Sequence, residues 1–309
     1  MKQNVSIIGA ILGAALASCA AQAHQADDPL TRPIAPDYAQ RWLTPLPPAH
    51  VHGNTYFVGF AGLGVALIRT SDGLILLDGA VPQAVRDVEA NIRRLGFRVE
   101  DIRYILTTEP HWDHVGGVAA LARDSGAIVV AGAPAAEVFR TGRVGSDDPQ
   151  SAHLTPFPAV ANVRAMADGE MLRLGDTTVT ARATPGHTAG SMSWSWRSCE
   201  GARCLDVVFG ASLNAVSADG YRFSDPAHRT VVESFRSSFA AMRALPCDIL
   251  ITSHPDQFGL DARYRRFQAG EQPNPLIDPN ACRAYADRAE QRLDARLATE
   301  AGQAASPGS

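Results

Sequence analysis

Lysine is nearly missing: across 309 residues it occurs once, at Lys2. No ammonium side chain is therefore available to a ligand beyond the N-terminus, and cationic charge falls to arginine and to any protonated histidine. Basic runs are also missing and the formal net charge is -4, so the electrostatic footprint of a nucleic-acid binder is absent. No Gly-x-Ser-x-Gly elbow occurs, which removes the serine-hydrolase solution built on it. After Ala23 no apolar run approaches the roughly 20 residues that span a bilayer as a helix; the runs are strand-length and broken by polar residues. What is present, 46% hydrophobic and 19% charged residues, suits a soluble globular protein with material for one large domain or two small ones.

Lys2 precedes an apolar run from Val5 to Ala17 that is too short for a membrane span and reads as a signal peptide, so export to the periplasm is expected. Two processing sites compete. Ala21-Gln22-Ala23 is a small-residue cleavage site, whereas Leu16-Ala17-Ser18-Cys19 resembles a lipobox and would leave a lipid anchor on Cys19. Four cysteines then remain in an oxidising compartment: Cys199, Cys204, Cys247 and Cys282. The short segment between Cys199 and Cys204 favours a local bridge across a hairpin, leaving Cys247 to reach Cys282; buried free thiols are the alternative.

Residues 24–48 are polar and rich in proline and read as an irregular arm. From residue 49 to about 300 a single domain is expected. Tyr56-Phe57-Val58, Gly64 to Ile68 and Leu74 to Asp78 are strand-like, with Asp72-Gly73 as a hairpin turn. Helical spacing over Val85 to Leu95 and Val115 to Arg123 alternates with strands at Ile102 to Thr107 and Ala127 to Val130. The second half continues in the same manner, with strands near 163–166, 171–174, 177–183, 192–196 and 206–209, a helix over 231–245, a strand over 247–252 and a terminal helix over 280–300. Two blocks of strands, each with helices, predict two packed sheets between helical layers.

Chemistry concentrates in Thr108-Glu109-Pro110-His111-Trp112-Asp113-His114, where a predicted strand gives way to a helix. In an extended stretch residues two apart share a face, so Glu109, His111 and Asp113 can point one way while His114 joins Asp113 at the turn. Histidine nitrogen and carboxylate oxygen are ordinary zinc ligands, and a hydrolytic zinc keeps one position for water. His187 in Pro185-Gly186-His187-Thr188 and His254 in Ser253-His254-Pro255 each follow a strand and complete six candidates. His24, His50, His52, His153 and His228 are isolated and read as surface or hydrogen-bonded residues. The loop from Gly142 to Ser151 either flanks the cleft or is a solvated turn.

Over roughly residues 50 to 285 these motifs, with Leu76-Leu77-Asp78-Gly79, resemble the metallo-β-lactamase superfamily, which implies an α/β fold of the αββα sandwich type with two mixed sheets flanked by helices. The chain is most similar to the class B β-lactamases of subclass 3. Where many relatives, such as lactonases and thioesterases, carry a metal-bridging Asp, this chain has Ala211, and Ser212 takes the place of the metal-binding Cys of subclasses 1 and 2. The departure is Glu109, where the family motif usually begins with His. A carboxylate there adds negative charge and a harder ligand, and Pro110 fixes the backbone behind it.

The resemblance implies two zinc ions, one held by Glu109, His111 and His187 and the other by Asp113, His114 and His254, with a hydroxide between them. It further implies hydrolysis of penicillins, cephalosporins and carbapenems, conferring antibiotic resistance, with Asp113 assisting proton delivery to the lactam nitrogen. Ser212 and Asn214 would bind the substrate carboxylate. The expected partner is a small-molecule β-lactam, met by a monomer. Two other outcomes fit the same residues: a lactonase or thioesterase of the same fold, and a periplasmic metal-binding protein without catalysis.

Overall fold

The computed structural model describes residues 28–305; the expected signal segment, both processing sites and Cys19 lie outside them. From Pro36 the arm expected to be irregular forms a short helix, α1 (Pro36–Ala39), and a 3-10 turn (Gln40–Trp42). It docks on the domain. Ala39, Trp42 and Leu46 are buried and Pro45 bridges to Phe60. Three apolar side chains thus anchor a segment whose prolines had masked its packing.

Strands β1 (Ala49–His52), β2 (Thr55–Phe57), β3 (Ala66–Thr70) and β4 (Gly73–Leu77) pair antiparallel in chain order. Thr70 pairs with Gly73, so the hairpin turn is Ser71-Asp72, one residue before the expected Asp72-Gly73. β4 then runs parallel to β5 (Ile102–Leu106), β5 to β6 (Ile128–Gly132) and β6 to β7 (Val163–Met166), completing a seven-stranded sheet. Leu74 to Leu77 are all buried, as expected for a parallel strand covered on both faces. The crossovers are helices α2 (Val85–Arg94) and α4 (Val118–Ser125), with α3 (Trp112–Val115) and α5 (Ala136–Thr141) beside them. α2 buries Val85, Val88 and Ile92 at helical spacing.

The second sheet has five strands in the order β12-β11-β10-β9-β8: β8 (Met171–Leu174), β9 (Thr177–Ala183), β10 (Met192–Glu200), β11 (Arg203–Gly210) and β12 (Ile249–Thr252). Pairing is antiparallel except for β11 with β12, which are joined by α6 (Arg229–Ala244). α7 (Leu260–Gln268), which the sequence pattern had not suggested, and α8 (Ala281–Ala305) follow. Between the sheets lie Phe57, Ile75, Leu77, Trp194, Trp196 and Phe209. The two indoles satisfy their N–H groups across the interface, Trp194 on the Thr107 carbonyl at 3.1 Å and Trp196 on Thr55 Oγ1 at 2.9 Å. The outer faces are closed by α2 and α4 on one side and by α6 packed on α8 on the other. The protein is an αββα sandwich.

Because β9 and β11 both lie antiparallel to β10, they run in the same direction as β12. Their C-terminal ends meet those of the parallel strands β4 and β5 at one edge of the sandwich, the position where open α/β sheets place ligands. No helix among the described residues is long and apolar enough to cross a membrane.

The cysteines are joined as Cys199–Cys204 and Cys247–Cys282. The second closes a longer loop and ties β12 to α8, so it restricts the unfolded chain more. Replacing Cys247 and Cys282 together by Ser should cost about 3–4 kcal/mol and lower the thermal midpoint more than replacing Cys199 and Cys204, as thermal unfolding of the two double variants would measure.

Candidate metal centre

Past β5 the chain is clamped before it reaches the ligands. Asp78, at the end of β4 and with φ of 61°, accepts the Thr108 N–H on Oδ1 and the Thr108 hydroxyl on Oδ2, both at 2.7 Å. Gly79 N–H donates to the His114 carbonyl at 2.9 Å. The β4 end therefore fixes both sides of the Glu109 to His114 segment. His111 is extended, but Trp112 begins α3. The expectation that Glu109, His111 and Asp113 share one face of an extended stretch thus fails at Asp113, because Asp113 and His114 lie on the first helical turn.

Asp113, His114 and His254 offer ligand atoms all within 4.8 Å of one another. His114 Nε2 and His254 Nε2 are 3.1 Å apart, and Asp113 Oδ2 lies 3.5 and 3.3 Å from them respectively. The outer nitrogens explain the aim. His254 Nδ1 donates to the Gly62 carbonyl and His187 Nδ1 to the Asn214 carbonyl, each at 2.9 Å. Since a carbonyl can only accept, the hydrogen sits on Nδ1 and Nε2 keeps its lone pair for the cleft, which is how metal-binding histidines are usually prepared. Gly186, with φ of 134°, makes that aim possible, because a Cβ there would lie 2.7 Å from the Phe235 ring.

His111 and His187 meet with ring centroids 5.0 Å apart. The loop read as either flanking the cleft or solvated flanks it closely: His111 Nε2–H donates to Asp148 Oδ2 at 2.9 Å, and the Gln150 amide approaches His187 Nε2 at 3.2 Å. Glu109 is buried among the same histidines. Its carboxylate accepts the Ser212 N–H at 2.9 Å and the Ser212 hydroxyl at 2.5 Å, and Oε1 stands 3.0 Å from His114 Nε2. Two donors from the end of β11 hold it on the His114 side. Ser212, expected to bind the substrate carboxylate, has its donors on Glu109 and is buried outside the cleft lining. Asn214 does line the cleft, with its amide donating to Gln257 Oε1 at 2.7 Å.

Burial disfavours the charged form of every group here. For Asp113 the His114 and His254 rings outweigh it and hold the carboxyl well below the usual range; burial pushes His114 down to about 4, and His187 also below its ordinary value. Against the same burial, Asp148 raises His111 and Asp113 raises His254. An ionised carboxylate beside a neutral imidazole with converging lone pairs is a donor set that fits a divalent cation of the zinc type.

The centre floors a cleft of about 530 Å³, a size that suits a small molecule. Its wall includes residues that the sequence pattern did not single out: Tyr38, Arg41 and Trp42 of the arm, and His153 of the loop. The Pro-rich arm carried no periodic signal, and His153, expected as an isolated surface histidine, is exposed at the cleft rim. His50 and His228 are hydrogen-bonded to backbone carbonyls, as expected of isolated histidines, whereas His52 is buried with Nδ1 3.4 Å from Glu200. His24 lies outside the described residues.

A model of the metallo-β-lactamase superfamily matches residues 64–254, and the chain belongs to that superfamily. Within it the solved structures that match over most of both chains include subclass B3 enzymes. A B3 metallo-β-lactamase with an active-site glutamic acid is 53% identical, with a TM-score of 0.82 over 89% of this chain and 98% of that one. MEM-A1, a subclass B3 enzyme from a soil metagenome library, is 44% identical, with a TM-score of 0.81 over 85% of this chain and 99% of that one. Among curated proteins, a hydroxyacylglutathione hydrolase-like protein of Bos taurus is 33% identical over 39% of this chain, which spans 48% of that relative's length.

Asp148 holds the outer nitrogen of His111, so its loss should loosen the ring's orientation. Asp148→Asn is expected to weaken zinc affinity by about 10–100-fold, measured by titration against a chromophoric chelator, with the thermal midpoint of the metal-free protein little changed.

Proposed function

We propose that the protein is a zinc-dependent β-lactamase that opens the amide of penicillins, cephalosporins and carbapenems and so confers antibiotic resistance, with two zinc ions per chain. The observation that carries this is the convergence of Asp113, His114 and His254 on the floor of a small-molecule cleft, in a chain alike over nearly its whole described length to B3 metallo-β-lactamases. Ala211, where a metal-bridging carboxylate would mark lactonases and thioesterases, supports the same reading. It is buried in the strand end, with its N–H on Ser193 Oγ and its carbonyl accepting the Tyr285 hydroxyl.

Zinc, when bound, supplies a Lewis acid for the lactam carbonyl and acidifies water toward neutral pH. Asp113, His114 and His254 would hold one ion, and His111 and His187 the other, with Glu109 facing the His114 side. Asp113, kept ionised by its neighbours, can accept a proton on its carboxylate and pass it to the lactam nitrogen as the ring opens. Gly62 and Asn214 carbonyls fix the orientation of His254 and His187 throughout. Trp42 and Trp112, whose rings lie 5.8 Å apart, give the cleft an apolar stretch of wall.

Export to the periplasm, with Cys19 removed or lipidated, completes the proposal. The N-terminal signal pattern supports it, as do two disulfides of a kind uncommon in the cytosol.

Purified, zinc-loaded protein should hydrolyse one member of each of the three β-lactam classes, lose all turnover on chelation and regain it on zinc addition, followed spectrophotometrically. His254→Ala should remove most of that turnover. A protein that leaves all three intact while opening a lactone or a thioester would belong to another activity of this fold, and zinc uptake with no turnover of any kind would make it a binding protein.

A further inference from the structure

A β-lactam substrate brings a carboxylate into a cleft that already holds the Asp113 carboxylate, and, beside the charge that bound zinc would supply, a donor side chain must receive it. Ser212 cannot, because both of its donors are on Glu109. Asn214 has one of its two amide N–H groups on Gln257, which leaves a single neutral N–H beside its acceptor Oδ1, a weaker match for an anion than a cation. Lysine is unavailable. Among the described residues that line the cleft, one guanidinium is present, that of Arg41.

Its setting differs from that of the arginines engaged in ion pairs. Arg236, Arg243 and Arg296 close on carboxylates of α8, and Arg123 on Asp28 and Asp124. Among the described residues Arg41 has no such carboxylate partner; instead its Cζ lies 3.7 Å from the Tyr38 ring centre and 4.5 Å from that of Trp42. Trp42 in turn stands 5.3 Å, ring to ring, from His254. The two rings, at 90° to each other, hold the cation by π contacts, and a guanidinium carries the fork of N–H donors that receives a carboxylate on two parallel hydrogen bonds. The cation is thus held at the cleft wall by two rings and one step from the metal ligands.

We propose that Arg41 binds the substrate carboxylate and determines specificity for anionic β-lactams; this rests on the β-lactamase reading above. The test compares the wild type with Arg41→Met, which keeps a hydrocarbon stem against Tyr38 and Trp42, and with Arg41→Lys, which restores charge without the fork. For a carboxylate-bearing penicillin, Arg41→Met should raise KM about tenfold or more, with the effect on KM rather than kcat, and Arg41→Lys should recover part of it. For the same penicillin esterified at that carboxylate, wild type and Arg41→Met should have similar KM. Added salt should raise KM of the wild type and leave that of Arg41→Met nearly flat. An unchanged KM for the free carboxylate in Arg41→Met, or an equal loss for acid and ester, overturns the proposal while the β-lactamase reading stands. A wild type that opens no β-lactam overturns both.

Discussion

Seven ionisable side chains, Asp78, Glu109, Asp113, His111, His114, His187 and His254, are buried together at one edge of the sandwich, and the rest of the molecule is arranged so that this charge can be kept out of water. Burying a carboxylate or an imidazolium without partners is costly. The cost is offset locally: Thr108 takes both oxygens of Asp78, Ser212 both oxygens of Glu109, and backbone carbonyls the outer nitrogens of His187 and His254. Each of these partners comes from a strand end or the turn just after or before it. A divalent cation is the counter-charge to which the remaining inward-facing atoms are chemically suited.

Much of this could be read in the chain before the fold was seen. Four potential ligands within six residues, and two histidines each just beyond a strand, specify where the chemistry lies because strand ends converge in a layered α/β fold. The strand and helix pattern was equally legible wherever burial is one-sided, as in α2, or complete, as in β4. Legibility failed where a tertiary partner decides. The alternation of Glu109, His111 and Asp113 presumed an extended stretch, but β5 ends at Leu106 and a helical turn begins at Trp112. Ser212 was placed at the substrate, whereas its donors are drawn to a carboxylate from another strand, a pairing that no spacing along the chain announces. The arm was read as irregular because its prolines outnumber its anchors, yet Trp42 alone touches Trp112 and His254.

The two halves of the candidate centre are built differently. Asp113, His114 and His254 sit on a helical turn and a strand end, backed by Asp78 and Gly62. His111 and His187 are met from the open side by Asp148 and Gln150, which belong to a loop. Elements fixed by core packing hold geometry more tightly than loops do, so the half toward His254 is the rigid one and the half toward His187 the adjustable one.

The short link between β2 and β3 carries a consequence of its own. Gly62 presents its carbonyl to His254, and a Cβ on it would lie 2.6 Å from the Trp42 backbone; a Cβ on Gly64 would lie 2.1 Å from the Thr252 carbonyl, whose neighbour Ser253 accepts the Gly64 N–H. This hairpin is therefore closed to drift, since even one added methyl would be transmitted to a histidine of the centre. Diversification of the cleft, by natural descent or in a directed library, is confined to the opposite bank, where the Gly142 to Ser151 loop can change without moving the backbone that aims His254, whereas the arm is tied to that backbone by the Gly62 N–H on the Trp42 carbonyl.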